Sequence, residues 1–142
     1  MIVPDVNVLL YAFRADLPNH RHFRTWLQTA LAGDEPVAMP GVVIAGFMRV
    51  VTHPRVFAPP TPPDEAAAFV DALRGAPGAL TPSPGPGHID TFLGLCTEAN
   101  ARGSLVADAY LAAVVMELDA VLMTTDRDFA RFSGLRWTHP PV

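Results

Sequence analysis

Short apolar runs punctuate the chain, and the strongest of them do not alternate with polar residues: Ile2-Val3-Pro4, Val37-Ala38-Met39 and Ala120 to Thr124. A strand with one wet face alternates, whereas a strand buried on both faces is apolar throughout. Ala79-Leu80-Thr81 and Leu135-Arg136-Trp137 are weaker strand candidates. Helical stretches separate these runs. Val6 to Phe13 is nearly all apolar, and Pro18 to Ala32 gathers Phe23, Trp26, Leu27, Ala30 and Leu31 on one face. Val42 to Val51, Asp64 to Leu73, Ile89 to Ala101 and Leu105 to Leu118 follow, then a short helix over Asp126 to Phe132. Strand and helix in alternation predict an α/β fold, a parallel sheet flanked by helices on both faces.

At 142 residues, half of them hydrophobic, the chain suits one domain spanning residues 1–142. Only 17% of residues are charged, too few for a disordered polyelectrolyte. The single cysteine, Cys96, excludes an internal disulfide and a thiolate zinc cluster. Every basic residue is Arg, and the absence of Lys excludes Schiff-base chemistry and the phosphate-binding P-loop. A net charge of −4 argues against binding nucleic acid through a basic surface. Leu105 to Met116 is interrupted by Asp108 and too short to span a bilayer, so no membrane association and a cytoplasmic location are expected. Thr52 to Pro63 carries five prolines and reads as a stiff connector.

Ten of the fourteen acids are Asp. Most fall in loops, caps and polar helix faces, and Asp119, between a helix and a strand, reads as a turn residue. Asp5 ends the first strand, and Asp126 and Asp128 follow the fourth. Ligands of open parallel sheets bind beyond the carboxyl ends of the strands, so neighbouring strands would bring these acids to one crevice. Asp5 and Asp126 also suit the caps of the helices they precede. Asp108 is harder to place innocently. Helical spacing sets it beside Leu105, Leu111 and Ala112, and a carboxylate there needs either an arginine partner or a metal. Clustered carboxylates repel each other unless a divalent cation compensates them, and oxygen-only ligands favour Mg²⁺ or Mn²⁺ over zinc.

Three segments in order, Asp5-Val6-Asn7-Val8-Leu9-Leu10-Tyr11, Asp108-Ala109-Tyr110-Leu111-Ala112-Ala113 and Thr124-Thr125-Asp126-Arg127-Asp128-Phe129, resemble the PIN-domain ribonucleases, and among them the VapC toxins of bacterial VapBC toxin–antitoxin pairs. The resemblance covers essentially the whole chain. It implies a parallel sheet whose carboxyl edge binds Mg²⁺ or Mn²⁺ for RNA hydrolysis. Asp5 and Asp108 would be principal catalytic metal ligands, with Asp126 completing the cluster directly or through water. Asp128 matches the second acid of the family's T-x-D-x-D-F pattern, and Asn7 and Thr124 match polar positions that orient the ligands.

One position departs from that pattern. The family usually carries a Glu on the helix that here reads Val42-Val43-Ile44-Ala45-Gly46-Phe47-Met48-Arg49. Either Ile44 or Gly46 stands at that position, depending on register, and no acid occurs between Glu35 and Asp64. Weakened metal binding and activity are expected, unless Asp128 compensates. Gly46 also reads as a point of close helix packing.

The implied reaction is metal-assisted phosphodiester hydrolysis of a structured RNA such as tRNA or rRNA, cut at exposed loops. RNA contact falls to Arg side chains, whose planar forks suit phosphate; Arg14 and Arg49 are the candidates. The resemblance further implies a homodimer inhibited by a VapB-type antitoxin, with the loop at 52–63 and the apolar faces near Phe57 and Phe69 as contact surfaces. The alternative is a catalytically inactive PIN-like domain that keeps only RNA or antitoxin binding. Haloacid-dehalogenase phosphatases fit less well, because they place Asp-x-Asp where this chain has Asp5-Val6-Asn7. Response-regulator receivers need the lysine that this chain lacks.

Overall fold

The computed structural model describes residues 1–141. Its sheet has five parallel strands: β1 (Ile2–Pro4), β2 (Val37–Ala38), β3 (Ala79–Leu80), β4 (Val121–Met123) and β5 (Trp137–Thr138). Six helices accompany them: α1 (Val6–Phe13), α2 (His20–Ala32), α3 (Gly41–Val51), α4 (Pro63–Arg74), α5 (His88–Glu98) and α6 (Ser104–Glu117). A single 3₁₀ turn, Arg127–Arg131, joins β4 to β5.

The strand order is β3-β2-β1-β4-β5. The chain therefore starts in the middle of the sheet, builds outward to β3, then crosses back to add β4 on the other side of β1. Right-handed crossovers travelling in opposite directions leave their helices on opposite faces, which sets α1–α4 against α5 and α6. The direction reverses between β1 and β4, whose register pairs Pro4 with Met123. Asp5 and Thr124 thus emerge side by side at the switch point of the sheet, the crevice where such folds bind ligands.

The core explains why these segments took these forms. Val3, Val37 and Leu122 are fully buried in the three central strands. In α6 the run from Leu111 to Val115 is buried on every side, so this helix has no wet face over that stretch. Phe13, Phe47 and Phe69 form a three-ring cluster that joins α1, α3 and α4, with centroids 4.8–5.7 Å apart.

Several element ends differ from expectation. Helix α2 begins at His20 rather than Pro18, because Asn19 adopts a left-handed φ of 61°. Helix α4 begins at Pro63, so Asp64 lies in its first turn and does not cap it; proline's preset φ suits the first helical position. The segment after Asp126 is a 3₁₀ turn rather than an α-helix. Asp119 does occupy a turn, at φ 51°, and its carboxylate receives Arg136 at 2.6 Å.

The loop at 52–63 is a connector pinned from inside the fold. Arg14 donates to the carbonyl of Pro59 at 3.1 Å and to Thr61 Oγ1 at 3.2 Å. Its guanidinium lies 4.2 Å from the centre of the Phe57 ring and pairs with Asp16 at 2.6 Å. Phe57 is buried beneath it.

Candidate active site

Asp5 stands where a helix cap and the crevice at the sheet edge meet. It is the N-cap of α1, where Oδ1 accepts from the backbone N–H of Val6 at 2.7 Å. Its other oxygen, Oδ2, accepts from the hydroxyl of Thr124 at 2.7 Å, across a sequence separation of 119 residues. Thr124 is completely buried and Asp5 nearly so. The Thr124 hydroxyl oxygen also accepts from the Asp126 backbone N–H at 3.0 Å. Asp126 in turn caps the 3₁₀ turn, with Oδ1 accepting from Asp128 N–H at 2.8 Å. A relay of short bonds therefore fixes Asp5, Thr124, Asp126 and Asp128 relative to one another.

Asp108 reaches the same edge from α6, half-buried, with Ala107 and Leu111 beside it. A cavity of about 420 Å³ is bounded by Asp5, Asn7, Asp108 and four α3 residues, Val42, Ala45, Gly46 and Arg49. Burial pushes the Asp108 carboxyl up to about 6, and repulsion from Asp126, Asp5 and Asp128 adds to the rise. Burial also raises Asp5, against the lowering effect of its bonds from Thr124 and Val6, with Asp126 adding repulsion. Among the described residues, no Arg or His forms an ion pair with Asp5, Asp108 or Asp126. The arginine partner that would have made Asp108 ordinary is therefore not there.

This cavity suits a hard cation. Two carboxylates face it with no cationic partner, and the side-chain oxygen of Asn7 is buried with no hydrogen-bond partner at all. All three are oxygen donors, the chemistry of Mg²⁺ or Mn²⁺ sites. Among the described residues no three His, Cys, Asp or Glu side chains are drawn together tightly enough to form a ready-made cage. Asp126 and Asp128 lie close enough to repel Asp108 but do not line its cavity.

Helix α3 turns its 42-45-46-49 face to the cavity. Ile44 is not on that face; it is partly buried and packs against the core. Gly46 is on it, and its lack of a side chain has a local cause. A Cβ at this position would lie 2.6 Å from Val6 Cγ2 on α1, so the two helices approach over Gly46 as close packing requires. Sequence pattern does not single out Val6, since a contact between residues 6 and 46 leaves no periodic trace. Arg49 stands exposed at the cavity rim, with no carboxylate partner among the described residues. Arg14, the other candidate for RNA contact, has its guanidinium engaged by Asp16, Pro59, Thr61 and Phe57.

Residues 2–135 match the PIN domain family. The chain belongs to that family. Its PIN domain is 45% identical over 142 residues to Ribonuclease VapC25 of Mycobacterium tuberculosis, covering all of both chains. It is 48% identical over 140 residues to Ribonuclease VapC43 of the same organism, covering 99% of this chain and 95% of that one. Among solved structures, the PIN fold aligns with VapBC2 from Rickettsia felis, solved bound to a DNA fragment from its promoter. That alignment has a TM-score of 0.73 and 17% identity, covering 98% of each chain. The parallel sheet expected from the apolar runs is thus the PIN sheet. No helix among the described residues is long and apolar enough to cross a membrane.

Proposed function

We propose that this PIN domain is a divalent-metal-dependent endoribonuclease of the VapC type, the toxin of a type II toxin–antitoxin pair, acting on structured RNA such as tRNA or rRNA. The observation that carries the reading is the pairing of Asp5 and Asp108 across a cavity at the switch point, both raised in pKa and neither neutralised by a cationic side chain. Its relatives named as VapC ribonucleases match it over essentially their whole length.

In this reading Asp5 and Asp108 would hold Mg²⁺ or Mn²⁺, Asp126 would complete the cluster directly or through water with Asp128 beside it, and the buried, unpartnered side-chain oxygen of Asn7 would orient the ligands or join them. The cation would supply the positive charge that offsets charge developing on a phosphodiester. The chain's own residues do the rest. Thr124 keeps Asp5 oriented and holds down the cost of its burial. Burial and repulsion from Asp126, Asp5 and Asp128 raise the Asp108 carboxyl in the metal-free site, a cost that a bound cation would relieve. Arg49 at the rim offers its guanidinium fork to a phosphate of the substrate.

The site lacks the family's usual helix-borne Glu, and Gly46 is the position where its side chain would enter the cavity. The nuclease is accordingly weaker than relatives with the full set. The second reading, a PIN domain that retains only RNA or antitoxin binding, is favoured by that same observation, because Val6 occupies the space above Gly46. The antitoxin's place is the apolar trough of about 550 Å³ between α2 and α4, walled by Phe13, Leu27, Leu31, Phe69 and Leu73. Phe69 belongs to it, whereas the buried Phe57 does not. The protein acts as a homodimer in the cytoplasm.

The test is Mn²⁺ titration calorimetry together with cleavage of purified tRNA and rRNA, for wild type, Asp5→Asn and Asp108→Asn. Metal binding and metal-dependent cleavage that both variants lose support the nuclease. Metal binding unchanged in both variants refutes the site, and RNA binding without cleavage at any metal concentration establishes the inactive reading.

A further inference from the structure

A second cavity opens on the same edge of the sheet, and nothing in the reaction above uses it. It encloses about 390 Å³ and is lined by Tyr11, Asn19, His22, Phe23, Thr125 and His139. Four separate pieces of chain supply these residues: the end of α1, the start of α2, the residue after Thr124, and the segment after β5.

The walls have a consistent chemistry. The rings of Tyr11 and Phe23 stack at 4.9 Å with 21° between their planes. His22 stands edge-on to Phe23 at 5.2 Å, and His139 lies 6.2 Å from the same ring. The neighbouring His20 fixes this wall, its Nδ1–H donating to the carbonyl of Tyr11 at 2.8 Å. Against the aromatic wall stand polar groups with capacity to spare. The Nε2 of His22 is buried and has no hydrogen-bond partner. Asn19 occupies the cap position of α2, but its side chain makes no capping bond. No Arg, Asp or Glu lines the cavity. Its rings, imidazoles and uncharged polar groups suit a flat ring with donors and acceptors on its edge.

Its position ties it to the acids. Thr125 directly precedes Asp126, and Tyr11 lies on the helix that Asp5 caps, about 9 Å further along its axis at the α-helical rise. RNA-binding proteins read unpaired bases by stacking them on aromatic or His side chains and bonding their edges. We infer that this cavity takes one unpaired nucleobase of the RNA substrate, that of a nucleotide next to the scissile bond, with His22, Asn19 and Thr125 reading its edge. The inference rests on the nuclease reading for its choice of ligand.

The probes are AMP, GMP, CMP and UMP, with ribose 5-phosphate and inorganic phosphate as controls, titrated into isotope-labelled protein while NMR follows the His22, His139 and Tyr11 ring signals. Saturable shifts from one or more nucleotides, with none from the controls, are expected. His22→Phe should weaken that binding about tenfold, the scale of one hydrogen bond, and leave Mn²⁺ affinity unchanged. Thr125→Val provides the same comparison should the His22 variant fail to fold. Equal shifts from ribose 5-phosphate, no shifts from any nucleotide, or wild-type binding by a folded variant would overturn the inference. Loss of the Mn²⁺ site alone would sink the nuclease reading while the nucleotide result stands on its own ground.

Discussion

Asp108→Asn should make the metal-free protein more stable at neutral pH even as it removes metal binding. The folded structure raises this carboxyl from its ordinary 3.8 to about 6, through burial and then repulsion from Asp126, Asp5 and Asp128. At about 1.36 kcal/mol per tenfold change in acidity, that rise is worth about 3 kcal/mol. The group is half-buried, and solvent screening brings the figure to about 1–2 kcal/mol. The sign follows from which form folding prefers. A carboxyl whose pKa rises on folding favours its protonated form, so its contribution to stability is complete below 3.8 and is lost as pH climbs through about 6. At pH 7.5 the wild-type protein therefore carries an ionised Asp108 at a cost that Asn does not carry. The variant should gain about 1–2 kcal/mol, or roughly 3–8 °C in Tm for a domain of this size. Urea denaturation with a chelator present, from pH 7.5 down to pH 4, should show the gain shrinking towards zero. Adding Mn²⁺ should then stabilise wild type and not the variant, since only a binding-competent native state is stabilised by ligand. A variant that is no more stable at pH 7.5, or whose gain is the same at pH 4, refutes the account of Asp108 as a repelled carboxylate.

Three further outcomes follow from the packing around the site. Gly46→Ala should cost about 1–2 kcal/mol in urea denaturation, overpacking against Val6 exceeding the gain in helix propensity; adding Val6→Ala should recover most of it, and Val6→Ala with Gly46→Glu should bind Mn²⁺ more tightly than Gly46→Glu alone by calorimetry. Thr124→Val should cost about 1.5–3 kcal/mol at pH 7, the scale of a hydrogen bond to a charged group, and should move the acid limb of the cleavage pH profile upward because Asp5 loses the bond that lowers its pKa. Arg14→Ala should lower Tm without changing RNA affinity in a filter-binding assay, whereas Arg49→Ala should weaken RNA binding and flatten its salt dependence by about one phosphate contact while leaving Tm within about 1 °C.

The parallel sheet was readable because strands buried on both faces carry no polar residues to disguise them. Asp5 and Asp126 were readable as residues at strand ends, but helix cap and cavity acid look alike in sequence. In Asp5 the two placements are not exclusive, since it caps α1 through one oxygen and still lines the cavity. Asp108 announced itself by sitting among apolar neighbours with no visible partner. Ile44 and Gly46 are two residues apart, which on a helix means nearly opposite faces; motif alignment leaves both open, and only Gly46 lines the cavity. The cavity between Tyr11 and His139 left no sequence signal at all, because its walls come from four distant stretches of chain.

The bond from Thr124 to Asp5 spans almost the whole chain, and β1 lies between β2 and β4 in the sheet. Strand pairings this far apart in sequence form slowly, because the long loop between them must first be closed. During synthesis, Asp5 emerges 119 residues ahead of Thr124 and waits with nothing to orient it until Thr124 and Asp126 leave the ribosome. A growing chain of this nuclease therefore carries no assembled acidic centre until that intervening stretch has been made. A partner that captures the chain before Thr124 and Asp126 have folded onto Asp5 meets it before its centre exists.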